Sequence, residues 1–132
     1  MDNQSKERIR EPYGFELILD LHGCDVSTFD RESLDAYFAK LCKAIKMKKC
    51  ERYFWDDVGL PEKDKQTSPQ TKGSSAVQFI LTSTIVIHTL ELLEAVYVNI
   101  FSCKDYDNEL ATMITKEWFG AKECRINFIK RI

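Results

Sequence analysis

Apolar and polar residues alternate along Phe15–His22 (F-E-L-I-L-D-L-H), and the alternation stops at Gly23-Cys24-Asp25. A period of two marks a strand with one buried face. The period then lengthens. Leu34, Phe38, Leu41 and Ile45 recur at helical spacing, which predicts a helix capped by Ser27 or Asp30, running to about Met47, with one face packed on a sheet. Glu51–Trp55 reads as a short second strand. Asp56–Lys72 is polar and contains Pro61 and Pro69; a connection of that length either serves a site or lacks fixed structure. Gly73–Cys103 is the most apolar and β-prone stretch, with strands expected over Ser75–Ser83, Thr84–Leu90 and Glu94–Cys103. Asp105 or Asp107 caps a second helix bearing Leu110, Met113, Ile114 and Trp118, and Gly120 is placed to end it. Cys124–Lys130 alternates as a final strand. The order β-α-β-β-β-β-α-β predicts an α+β fold, a two-layer sandwich of a mainly antiparallel sheet with two helices on one face. Residues 1–132 form a single domain in this reading.

Composition narrows the function classes. The chain is 44% hydrophobic and 30% charged with a net charge of −2, ordinary for a folded domain and against general binding of nucleic acid or anionic membranes. No apolar run reaches the length of a membrane span, and residues 1–12 read as a mobile, charged lead without the apolar core of a leader peptide. The five cysteines (Cys24, Cys42, Cys50, Cys103, Cys124) form no C-x-x-C pair, which points to reduced thiols and a cytoplasmic location. His22 and His88 stand apart, so no metal site is expected. Lysines 40, 43, 46, 48 and 49 read as a solvated helix end favoured by the helix dipole rather than as an anion site. Trp118, His22 and the remaining cysteines read as structural.

Within the apolar stretch stand four small reactive groups, Ser75, Ser83, His88 and Cys103. Burying such groups costs free energy unless they are hydrogen-bonded or functional. Their setting is Gly73-Ser74-Ser75, then Ser83, then I-V-I-H-T (residues 85–89), then N-I-F-S-C (residues 99–103). This frame resembles the short prokaryotic S-adenosylmethionine decarboxylases, pyruvoyl enzymes made as inactive proenzymes. The intervals match without a gap, and the likeness extends over most of residues 13–130.

The resemblance implies specific chemistry. Ser83 attacks the Thr82 carbonyl, the chain divides into 1–82 and 83–132, and residue 83 becomes a pyruvoyl group that forms a Schiff base with the substrate amine. That carbonyl is an electron sink for the electrons released with carbon dioxide. Ser75 and His88 would assist processing, and Cys103 would donate a proton in turnover. The implied substrate is a small molecule of amino-acid type, S-adenosylmethionine by default, in polyamine biosynthesis.

The chain also departs from the family pattern. Thr82-Ser83-Thr84 replaces Glu-Ser-His, Leu92 stands where a ribose-binding glutamate is expected, and the adenine-stacking aromatic before Gly73 is missing, a place Phe54 or Trp55 would have to fill. Asp20, Asp56, Asp57, Glu91 and Glu94 are available to bind a substrate cation, and Glu91, Glu94, Asp20 and Trp55 are the candidate substrate contacts. Arginine or ornithine is then the alternative substrate. An unprocessed, non-enzymatic homologue acting as a regulatory partner is the other alternative.

Geometry bears on assembly. A strand from Ser75 to Ser83 separates its ends by roughly 26 Å, and Ser83 and His88 are too far apart for contact along one strand. A two-fold homodimer with shared sites, Ser83 and Cys103 of one subunit facing Ser75 and His88 of the other, removes the difficulty.

Overall fold

The inward-facing residues of neighbouring strands fall in common rows, and those rows organise the domain. In a computed structural model that describes residues 11–132, the elements are β1 (Gly14–His22), α1 (Arg31–Ala44), β2 (Lys49–Trp55), β3 (Gly73–Ile80), β4 (Ser83–Leu90), β5 (Ala95–Ser102), α2 (Asn108–Phe119) and β6 (Glu123–Arg131). The mobile lead expected over residues 1–12 lies, but for its last two residues, outside the described residues. The six strands form one sheet in the order β2-β3-β4-β5-β1-β6, with every neighbouring pair antiparallel.

One row runs Leu19, Val98, Ile87, Ala76 and the next Leu17, Ile100, Ile85, Gln78. All eight are buried. Each large aliphatic side chain so buried contributes about 1.5–3 kcal/mol relative to exposure. Over this face lie Leu34, Tyr37, Phe38 and Leu41 of α1 and Ala111, Ile114 and Phe119 of α2. The Tyr37 hydroxyl and Thr115 Oγ1, 2.7 Å apart, tie the helices together. Gln78, the polar member of its row, donates to the carbonyls of Cys50 and Phe79 at 3.0 and 2.9 Å, so its burial leaves no orphan amide.

The caps are Asp30 for α1 and Asp107 for α2, whose carboxylates accept from the backbone N–H of Ser33 and Leu110. Ser27 is unavailable to α1 because it bonds Asp25 in the short 3-10 turn before it. α1 stops at Ala44, short of Met47, where the backbone turns left-handed at Lys46 (φ 59°). Gly120, at φ 61°, ends α2 as its freedom from a Cβ allows.

The expected strand Ser75–Ser83 divides. β3 ends at Ile80, Leu81 and Thr82 make the turn, and Ser83 pairs with Ile80 to open β4. At the far end of this hairpin a Cβ on Gly73 would overlap the Thr89 carbonyl; only glycine permits that approach of β3 to β4. The sheet's other face carries no helix among the described residues. Ile18, Val77, Val86 and Phe101 are half-buried there, while Phe79 and Ile129 are more than 40% exposed.

Candidate active site

The sharp β3–β4 turn brings two of the four reactive groups together and leaves two elsewhere. Ser75 and His88 are cross-strand partners, and Ser75 Oγ lies 2.8 Å from His88 Nδ1. Side chains directly opposite on an antiparallel pair point the same way, here toward the open face. Five residues along β4, roughly 16 Å away by strand rise, lies the second group. Ser83 is 6% exposed, and its hydroxyl donates to Ser102 Oγ at 2.8 Å. Ser102 Oγ in turn accepts from the Lys104 backbone N–H at 3.0 Å. Cys103 Sγ lies 3.2 Å from Thr82 Oγ1. Folding back the chain therefore joins Ser75 and His88 on the open face, while at the other end of β4 Ser83 faces inward to Ser102 and Cys103 stands against Thr82.

Ser102 carries a signal that sequence reading passed over. It lies opposite Ser83 in the β4–β5 register and is fully buried, so a serine at an inward strand position facing another inward serine marks a hydrogen-bonded pair.

At the Ser75–His88 end a cleft of about 870 Å³ opens between the sheet and the 56–72 connection. That connection holds a short 3-10 turn, Glu62–Asp64, and lines the cleft through Leu60, Gln66 and Thr71 among others. Phe54 and Trp55 form one wall; Trp55 pairs with Ser75 across β2 and β3 and is 84% exposed. Asp56 accepts both guanidinium N–H groups of Arg31 at 2.7 Å and a backbone N–H from Val58. The Arg31 hydrogen bonds hold its carboxyl below the usual carboxylate range, against the opposing effect of burial. Asp57 bonds the Gln66 N–H, and Asp64 also lines the cleft. Asp56 is thus neutralised, and Asp57 and Asp64 give the cleft its negative charge.

The weaker candidates separate. Asp20 lies in the His88 row, opposite Tyr97, which is opposite His88. Glu91 lines a neighbouring, smaller cavity with Glu62, Lys65 and Lys72. Glu94 sits in the β4–β5 turn at φ 49°, and lines neither cavity. Trp118 donates to Ser33 Oγ at 3.1 Å between the helices, a structural role. Burial pushes the Cys24 and Cys42 thiols up to about 11, which leaves them protonated and unreactive near neutral pH. At the Ser83 end, Lys46, Lys48 and Lys104 line a cavity of about 290 Å³ with Thr82 and Ser83.

Residues 15–132 match the family model for S-adenosylmethionine decarboxylase. The chain belongs to that family. Its fold matches the crystal structure of the adenosylmethionine decarboxylase from Aquifex aeolicus VF5 with a TM-score of 0.72 at 19% identity, covering 92% of each chain. No curated protein sequence matches it. Membership assigns this sheet and its two helices to a decarboxylase architecture. No helix among the described residues is long and apolar enough to cross a membrane.

Proposed function

We propose that this member of the S-adenosylmethionine decarboxylase family is a pyruvoyl-dependent carboxy-lyase of the cytoplasm, made as a self-cleaving proenzyme and serving polyamine biosynthesis. The observation that carries the reading is the setting of Ser83: a buried serine, its hydroxyl held by Ser102, directly after a tight turn whose Thr82 touches Cys103. In processing, Ser83 Oγ adds to the Thr82 carbonyl carbon, the C–N bond breaks, and the chain continues through an ester. Loss of the Ser83 α-proton then expels the Thr82 carboxylate, and water hydrolyses the remaining enamine, releasing ammonia and leaving a pyruvoyl group on residues 83–132.

The residues present fit that group. Once formed, its carbonyl supplies a sink for the electrons freed as carbon dioxide leaves. Cys103 is the proton donor on this reading, and His88, with Ser75 on its Nδ1, manages protons in processing. Because Ser83 and Cys103 stand roughly 16 Å by strand rise from Ser75 and His88, a two-fold dimer is proposed to complete each site. Ser83 and Cys103 of one subunit would meet Ser75 and His88 of its partner across the uncovered apolar sheet faces, which requires residue 83 to leave the inward position that its hydroxyl holds beside Ser102. The support is the exposed apolar face and the incompleteness of either half alone.

S-adenosylmethionine is the first substrate to test. A second reading, arginine or ornithine, is favoured by one feature: Asp57 and Asp64 line the cleft beside Ser75 and His88, suited to a side-chain cation. The deciding experiment is carbon dioxide release from each carboxyl-labelled substrate. Release that disappears in Ser83→Ala supports the enzyme, and the preferred label names the substrate. No release from any of them, with the chain uncut, points to a non-enzymatic regulatory homologue.

A further inference from the structure

Among the described residues, three other than glycine adopt positive φ: Lys46 (59°), Glu94 (49°) and Thr82 (64°). Thr82 alone is β-branched, and a branched Cβ is the side chain least tolerated in that region. The turn compounds the misfit. Leu81 and Thr82 link β3 to β4 in two residues, and the positive φ falls only on the second. That pattern calls for glycine at the second position, and two-residue hairpins ordinarily avoid it because it opposes the strand twist. Strain of this kind persists only where the surroundings over-determine it. Here the β3–β4 ladder runs unbroken from Gly73↔Leu90 to Ile80↔Ser83. Leu81 N–H is also tied to the Lys48 carbonyl at 3.2 Å, and Thr82 Oγ1 donates to the Leu81 carbonyl at 2.5 Å.

We infer that Thr82 is a positioning residue for self-cleavage: its enforced left-handed backbone holds strain beside the Thr82–Ser83 amide, and conversion of that amide to the ester releases it. This rests on the self-cleavage proposed above. An unstrained amide is more stable than the corresponding ester, so the shift needs a driving force. Replacing C–N–Cα by C–Oγ–Cβ–Cα lengthens the link between the hairpin strands by one atom. Thr82 can then leave the left-handed region without disturbing the ladder. The residue at this position therefore acts through its backbone conformation.

The test uses the full chain with Thr82→Gly, Thr82→Asn and Thr82→Val, following cleavage by intact mass and, in a Ser83→Ala background that stays whole, the melting temperature. Glycine and asparagine accept positive φ. The expected result is that Thr82→Asn in the uncut background melts above Ser83→Ala alone, while Thr82→Gly and Thr82→Asn cleave more slowly than the wild type by about fivefold or more. Thr82→Val keeps the branch and loses the hydroxyl, and is expected to cleave faster than both. A gain in stability joined to slower cleavage is not what a merely structural role produces. Equal cleavage rates for Asn and wild type, no stabilisation by Asn, or Val as slow as Gly would each overturn the inference. A wild-type chain that never cleaves overturns the underlying reading instead, and is seen before any variant is compared.

Discussion

Cys103 and Asp56 carry the sharpest expectations at the scale of single residues. Cys103 lies beside the cleavage turn, 3.2 Å from Thr82 Oγ1, but is not the group that forms the new bond. Cys103→Ala should therefore still yield the cleaved chain while decarboxylation falls by about 10²–10⁴-fold, the ordinary weight of a positioned acid; quantified fragments alongside turnover check this. Asp56 anchors the cleft wall to α1 through Arg31, and its pKa is depressed in the folded chain. A depressed carboxylate stabilises the fold above its unfolded pKa, and that stability is lost as pH falls through the folded value. Thermal melting from pH 7 to 3 should thus show a loss below about pH 4 that is smaller in Asp56→Asn. At neutral pH the same variant should melt lower, because Arg31 loses its bidentate partner.

The elements show which parts of the fold were legible and which were not. Alternation in Phe15–His22 and helical spacing at Leu34, Phe38 and Leu41 are local signals set by which face is buried, and each produced its element; Cys124–Lys130 also forms its strand, as an edge strand that is largely exposed on both faces. The single strand read over Ser75–Ser83 failed because nothing in Leu81-Thr82 carries turn chemistry: neither glycine, proline nor asparagine marks the reversal. The turn is imposed instead by the pairing of β3 with β4. That miss also hid the Ser75–His88 contact, which follows from the register rather than from sequence spacing. The cleft was half legible, since the length of 56–72 suggested a site but not that Arg31 would neutralise Asp56. Gly73 makes the register testable. Gly73→Ala drives a methyl into the Thr89 carbonyl, and should destabilise the chain by about 3 kcal/mol in a denaturant melt, with Ser75 and His88 drawn out of contact.

The whole molecule has its reactive groups divided between the two ends of β4, and this division has a consequence for mixed assemblies. His88→Ala and Cys103→Ala should each be inactive alone. Co-expressed, they should form heterodimers in which one site draws Ser83 and Cys103 from one chain and Ser75 and His88 from the other, all intact. Random pairing places half of the dimers in that class with one good site of two, or about a quarter of wild-type activity. No recovery in isolated heterodimers would exclude shared sites. Beneath both substrate and assembly lies a single covalent event, the scission before Ser83. Intact-mass measurement of the purified chain tests it most directly. The account predicts two fragments, one ending at Thr82 and one beginning with a pyruvoyl group at residue 83, and a single uncut species of 15.4 kDa in Ser83→Ala. A wild-type chain that remains whole at 15.4 kDa under every condition would contradict it.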